Sequence, residues 1–503
     1  MEPNTNQMPI EHDIPAPGGP VAPTTGSVPA SAPAPQTPVA PKPETSSLGT
    51  QMITPKGGGK FPKKLLFILL LVVFVIGVGF AVVKFILPNF RGISGSTELV
   101  WWGLWEDETL VQPLIEEYQN ANPGVTIKYQ RSDKEDYRER LTSALARGEG
   151  PDIFRLHNSW IPMFAAELEP APSNILSSQD FQNAFYPVAA ESAIGANGPL
   201  AVPLEYDGLA MFVNEEIFTT HAATIPTDWN DLREVAKALT IKDERGVITQ
   251  SGVALGTTAN VDHWPEIVAL LLLQNGANPG SPNDAAGRGG QALSFYKQFS
   301  VVDRVWDDTQ PTSTVAFSTG RVGMYFGPSW RALEIIERNP SLKFRVVPVP
   351  QVPKSDPSLP DVTYASYWVE GVSAKSKNVS EAWKFLKFMS ERENLTKLYE
   401  RSSASRPFGE PYSRVDMRDL LLADPVVGGF LRLAPNAKSS YLHSRTFDGA
   451  SGINTALSQY YEDAINKINP TSDPKREMAT LATGVQQVLS RYGLAAPLPT
   501  PED

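Results

Sequence analysis

The chain has no cysteine among its 503 residues. That absence excludes disulfides, thiolate metal sites, a cysteine nucleophile and lipid attachment through an N-terminal cysteine. Histidine is scarce as well: the five stand at 12, 157, 221, 263 and 443, with no i,i+4 pair, so no metal site is expected. IKDERGVITQSG has too few alternating oxygen donors for a calcium loop. There is no G-x-S-x-G elbow, no P-loop and no G-x-G-x-x-G, and no cofactor is expected. Cations are outnumbered, 44 Lys and Arg against 55 Asp and Glu, giving a formal charge of -11. Nucleic acid is therefore a poor partner, because phosphate binding needs clustered cations.

Met1 to Pro55 is Pro, Ala, Thr, Ser and Gln with few charges and almost no aromatic residues. No core can form there, and residues 1–60 read as a disordered tail, either a spacer or a polyproline II docking peptide. Behind it comes the one long apolar run, Leu65 to Val83 followed by Phe85, Ile86 and Leu87, with Lys56, Lys60, Lys63 and Lys64 ahead of it. Such a run is long enough for a helix across roughly 30 Å of hydrocarbon. The basic flank predicts a cytoplasmic tail, a single-pass signal anchor over 64–87, and everything after residue 88 outside the cell membrane. A cleavable signal would have a shorter apolar stretch and no long preceding tail. A buried core helix is the competing reading of the run.

From Thr97 onward, short runs rich in Val, Ile and Phe alternate with helical patterns: ELVWWGLW, TLVQPLIEEYQNANPG, VTIKYQ, YRERLTSALARGEG, PDIFRL. Strand, helix, strand, helix, strand predicts an α/β fold with a mainly parallel sheet. Gly124 and Gly150, each beside a proline, read as helix stops. In open sheets of this kind ligands sit beyond the carboxyl ends of the strands.

Those strand ends, read in order, are VWWGLWED, GPDIFRLHNSW, LAVPLEYDGLAMFVNEEIF, IPTDWNDLREVAKALT, AFSTGRVGMYFGPSW and YWVEGVSAKSKNVSEAWKFLKFMSERE. The series resembles the family 1 extracellular solute-binding proteins, the sugar-binding receptors of ABC importers that include maltose-binding protein. The resemblance spans about residues 97 to 400. It implies a two-lobed, periplasmic-binding-protein-like (type II) fold: lobe 1 from 97–206 plus about 350–395, lobe 2 from 207–349 plus about 396–495. It implies a hinged receptor with a carbohydrate ligand, ABC permease subunits as partners and a monomeric ectodomain, and no enzyme.

Within that resemblance Asp207 lies where a family carboxylate meets sugar hydroxyls, although Asp207 could equally cap a turn. Trp330 matches the family's stacking tryptophan, with core packing as the alternative. Trp102, Trp105, Trp160, Trp264 and Trp368 stand near expected strand ends or in loops. Glu106 follows the first strand, and a solvated helix cap is its competing role. His157 and Asn158 fall where the family places polar contacts, and Arg406 lies in a loop resembling the family's arginine- and proline-bearing one. Glu205 and Asp207 leave open an anchored glycan hydrolase. A receptor of the same fold for a non-sugar solute, or one serving adhesion or signalling through the tail, also remains open.

Overall fold

The computed structural model describes residues 96–354, 356, 358–469 and 474–495. The tail and the apolar run Leu65 to Val83 lie outside the described residues. Among the described residues no helix is long and apolar enough to cross a membrane.

The first sheet grows from β1 (Thr97–Gly103), which is parallel to both β2 (Val125–Arg131) and β3 (Ile153–His157). Period-two burial sets the faces of β1: Leu99, Trp101 and Gly103 point inward. All of β3 is buried, as an interior strand requires. The helix Glu108–Ala121 between β1 and β2 buries Val111, Leu114, Ile115 and Tyr118, a stripe at helical spacing that seals the sheet. Asp107, not Glu106, caps this helix, its carboxylate accepting from the Thr109 amide at 3.1 Å. The next helix, Tyr137–Arg147, ends at Gly148, whose φ of 72° is the left-handed conformation that favours glycine; the expected stop at Gly150 is two residues late.

A hairpin of β4 (Ile194–Gly195) and β5 (Gly198–Pro199) leads to β6 (Ala201–Val202), at the edge of the first sheet. The chain then crosses to β7 (Ala210–Asn214), which belongs to a second five-stranded sheet with β8 (Ile241–Lys242), β9 (Ile248–Val253), β10 (Val322–Gly327) and β11 (Phe344–Val347). After a short parallel pairing of β12 (Thr363–Tyr364) with β14 (Ala437–Lys438), β13 (Trp368–Val372) re-enters the first sheet between β3 and β6. The polar break at Glu205–Gly208 thus coincides with the passage from one sheet to the other.

The sheets are mixed rather than mainly parallel. β13 runs antiparallel to β3 and β6, and in the second sheet only β9 and β10 are parallel. A parallel neighbour needs a crossover helix, whereas β7 and β13 arrive by strands that pass directly between sheets and enter in the opposite sense. Gly208 is required at that passage: a Cβ on it would lie 2.3 Å from the Tyr364 carbonyl oxygen.

Candidate functional site

A cavity of about 420 Å³ is walled by residues that follow strands of both sheets. From the first sheet come Trp105 after β1, Lys134 after β2, His157 at the end of β3 and Trp368 at the start of β13. From the second come His263 and Glu266 after β9, and Trp330, Arg331 and Glu334 after β10. Glu205, Asp207 and Gly208 of the crossing segment complete it, with Arg406, Glu410, Arg445 and Phe447 from later loops. A larger hollow of about 1010 Å³, lined by Leu271, Phe295 and Met478 among others, receives no residue of the first sheet. The two-sided cavity is the candidate site, because a ligand there touches both sheets.

Its aromatic walls are indoles. Trp330 is 39% exposed and Trp105 38%, unusual for side chains that the rest of the chain buries. Trp330 opens the helix Trp330–Arg338 just after β10 and a Gly-Pro-Ser turn, and the guanidinium of Arg331 lies 4.3 Å from its ring centre. Trp105 packs edge-on to Trp368 at 5.5 Å and close to Phe447 at 6.2 Å. Trp368 is in turn set by edge contacts with His157 and Trp160.

The polar groups are fixed with similar care. Asp207 Oδ1 accepts from the amides of Gly208 and Ser329, and its Oδ2 from the Ser329 hydroxyl. Burial pushes this carboxyl up to about 7, against the donors of Ser329 and Gly208. Asp207 therefore both lines the cavity and holds the turn before Trp330. Burial, together with Glu410, drives Glu205 well above the usual carboxylate range. Arg406 donates to Glu410 at 2.5 Å, which pins that loop at the rim.

Beneath the wall lies a buried ion network. Arg155 Nη1 reaches both oxygens of Glu106 at 2.6 and 2.7 Å, and its Nε reaches Glu370 at 2.7 Å. Trp101 donates to the other Glu370 oxygen at 3.0 Å. Glu106 is therefore spent on Arg155 rather than exposed as a helix cap. Burial, despite Arg155, brings Glu370 up to about 7.

Of the residues singled out by sequence, Trp105, His157, Glu205, Asp207, Trp330, Trp368 and Arg406 line the cavity. Trp160 is fully buried and stacks with Phe164, while Trp264 and the half-buried Trp102 pack against the core. Asn158 is buried and ties segments together, donating to Ser439 and accepting from the Tyr367 amide. The cavity adds His263, Glu266, Arg331, Glu334, Lys134 and Phe447, which sequence reasoning missed. Glu266 carried a readable signal, being the one charge in the otherwise apolar helix Trp264–Gln274. Among the described residues no group of three or more His, Asp or Glu could hold a metal ion.

Residues 113–410 match the family of bacterial extracellular solute-binding proteins. The chain belongs to that family. It is 23% identical over 346 residues to a maltotriose-binding protein of Pyrococcus abyssi, covering 66% of this chain and 70% of that one. A cyclo/maltodextrin-binding protein crystallised with maltotetraose has the same fold, with a TM-score of 0.62 and 15% identity over 79% of this chain and 98% of that one. So does the cyclic α-maltosyl-1,6-maltose binding protein of Arthrobacter globiformis, with a TM-score of 0.62 and 17% identity, covering 79% of this chain and all of that one. The family is one of binding proteins, not enzymes.

Proposed function

We propose that this chain is the extracytoplasmic receptor of an ABC importer and grips an oligosaccharide in the cavity between its two sheets. The observation that carries the reading is the pairing of indoles from opposite sheets, the exposed Trp105 on the half-buried Trp368 on one side and the exposed Trp330 on the other, around fixed carboxylates and guanidiniums. Flat indoles suit the C–H faces of sugar rings, and the polar rim suits their hydroxyls. A volume of about 420 Å³ falls in the range of about 300–1,000 Å³ usual for small-molecule sites. The related proteins described as binding maltotriose and maltodextrins support the same ligand class.

A ligand that touches both sheets favours whichever arrangement brings them together, and this gives a permease a liganded form to recognise. The apolar run Leu65 to Val83 supports a membrane tether, which would hold the receptor at high local concentration beside its transporter. The test is a thermal-shift screen of the full chain in detergent against mono- and oligosaccharides, maltotriose and mannobiose among them. A raised, concentration-dependent melting temperature with at least one saccharide is expected. No shift with any saccharide, alongside a shift with an amine or a metal chelate, would replace the ligand class.

A further inference from the structure

On the second-sheet side of the cavity, four side chains form a hydrogen-bond chain whose direction is fixed throughout. Arg331 Nε donates to His263 Nε2 at 2.9 Å, so that nitrogen is the acceptor and the proton of the ring sits on Nδ1. His263 Nδ1 then donates to the Ser444 hydroxyl at 3.0 Å, and that hydroxyl donates to Glu266 Oε1 at 2.9 Å. The Ser444 amide donates to the same oxygen at 2.7 Å. The chain runs from a cation to an anion through a neutral imidazole.

Both ends are left open. Arg331 Nη2 and Glu266 Oε2 are buried and make no hydrogen bond. The contacts these two atoms make are too long for one: Asp262 Oδ1 is 3.8 Å from Arg331 Nη2, and the neutral His263 ring's Nδ1 is 3.9 Å from Glu266 Oε2. Leaving a buried charged group unpaired is costly, and an orphan donor and an orphan acceptor at opposite ends of one chain call for an explanation. Both residues line the cavity, Arg331 backs the exposed ring of Trp330, and both are more than nine-tenths buried.

We propose that Arg331 and Glu266 form a hydroxyl-reading pair for the sugar unit that stacks on Trp330. Both atoms are sealed in this arrangement, and a turn of each side chain toward the cavity lets Arg331 Nη2 donate to one ligand oxygen and Glu266 Oε2 accept from one ligand hydroxyl. The inference rests on the saccharide reading above and specifies its ligand as uncharged at this subsite. The charge of Arg331 is already compensated by Glu334 and Asp262, so it offers a directed donor rather than a net positive field. A carboxylate or phosphate placed here would meet Glu266 and Glu334, and the guanidiniums on this side are already paired, Arg331 with Glu334 and Arg445 with Asp262.

The experiment is calorimetry on the full chain in detergent with the saccharide that gives the largest thermal shift, with its monodeoxy analogues, and with a version whose terminal unit is a uronate. Glu266→Gln and Arg331→Lys should each weaken binding about 10- to 100-fold while the protein still melts cooperatively. One monodeoxy analogue should lose affinity by a similar factor on the wild type and lose nothing further on Glu266→Gln. The uronate should bind at least about tenfold more weakly than the neutral saccharide. Neutral saccharide binding that both variants leave within about twofold of wild type, or a uronate bound as well as the neutral ligand, overturns the inference alone. If either variant fails to fold, a wild type indifferent to every monodeoxy change overturns it. A folded wild type that takes up no saccharide removes the receptor reading and this inference together.

Discussion

Asp207 accepts from the Ser329 amide at 3.0 Å and from the Ser329 hydroxyl at 3.0 Å, across 122 residues of sequence. The bond ties the segment that crosses between the sheets to the turn that presents Trp330, so one carboxylate sets the positions of two parts of the cavity. Asp207→Asn would keep one acceptor but set an amide N–H₂ against the Ser329 donors. It should lower unfolding free energy by about 1–3 kcal/mol in urea titrations and weaken saccharide binding together with stability. A variant as stable as wild type would show that the tie is dispensable.

Arg155 makes a second prediction. Its replacement by Met would leave Glu106 and Glu370 buried in a space nearly closed to water, with no cation between them. Breaking such a pair by removing one partner costs about 3–5 kcal/mol, because the stranded charges cannot regain water. Chemical denaturation should report a loss of that size, or expression should fail.

Acidification should act through His443, which is fully buried and touches His157 at 4.8 Å between ring centres. Burial lowers His443 to about 4, so on acidification the unfolded chain takes up this proton first. The contribution is fully present above the ordinary histidine value of about 6.5 and is lost as pH falls from there to about 4, roughly 3 kcal/mol in all. His443→Gln should lose less stability than wild type between pH 7 and pH 4. Parallel stability curves for the two proteins would contradict the burial argument.

Much of this was legible in the sequence, and the parts that were not share a physical cause. The strands β1, β2 and β3 and the helices between them are local patterns, and each stands where its pattern placed it. Trp330 was readable because a Gly-Pro turn keeps a tryptophan at the surface. Trp160 and Trp264 were not separable from it, since nothing within either segment says whether the helix beyond turns the indole toward the core or the cavity. Strand direction was misjudged because β13 returns from more than two hundred residues away, and no nearby residue records the sense in which it enters. The pair Arg331 and Glu266 is joined through His263 and then Ser444, which lies 178 residues beyond Glu266, and spacing within a segment could not show it.

The most direct measurement is calorimetric titration of the full chain with the best saccharide, comparing wild type with Trp330→Ala and Trp105→Ala. Both rings are more than a third exposed, so their removal should leave folding intact. The account predicts one saturable binding event, weakened by about 1–3 kcal/mol in each variant. Binding of undiminished affinity in both variants would contradict a ligand held between these two indoles.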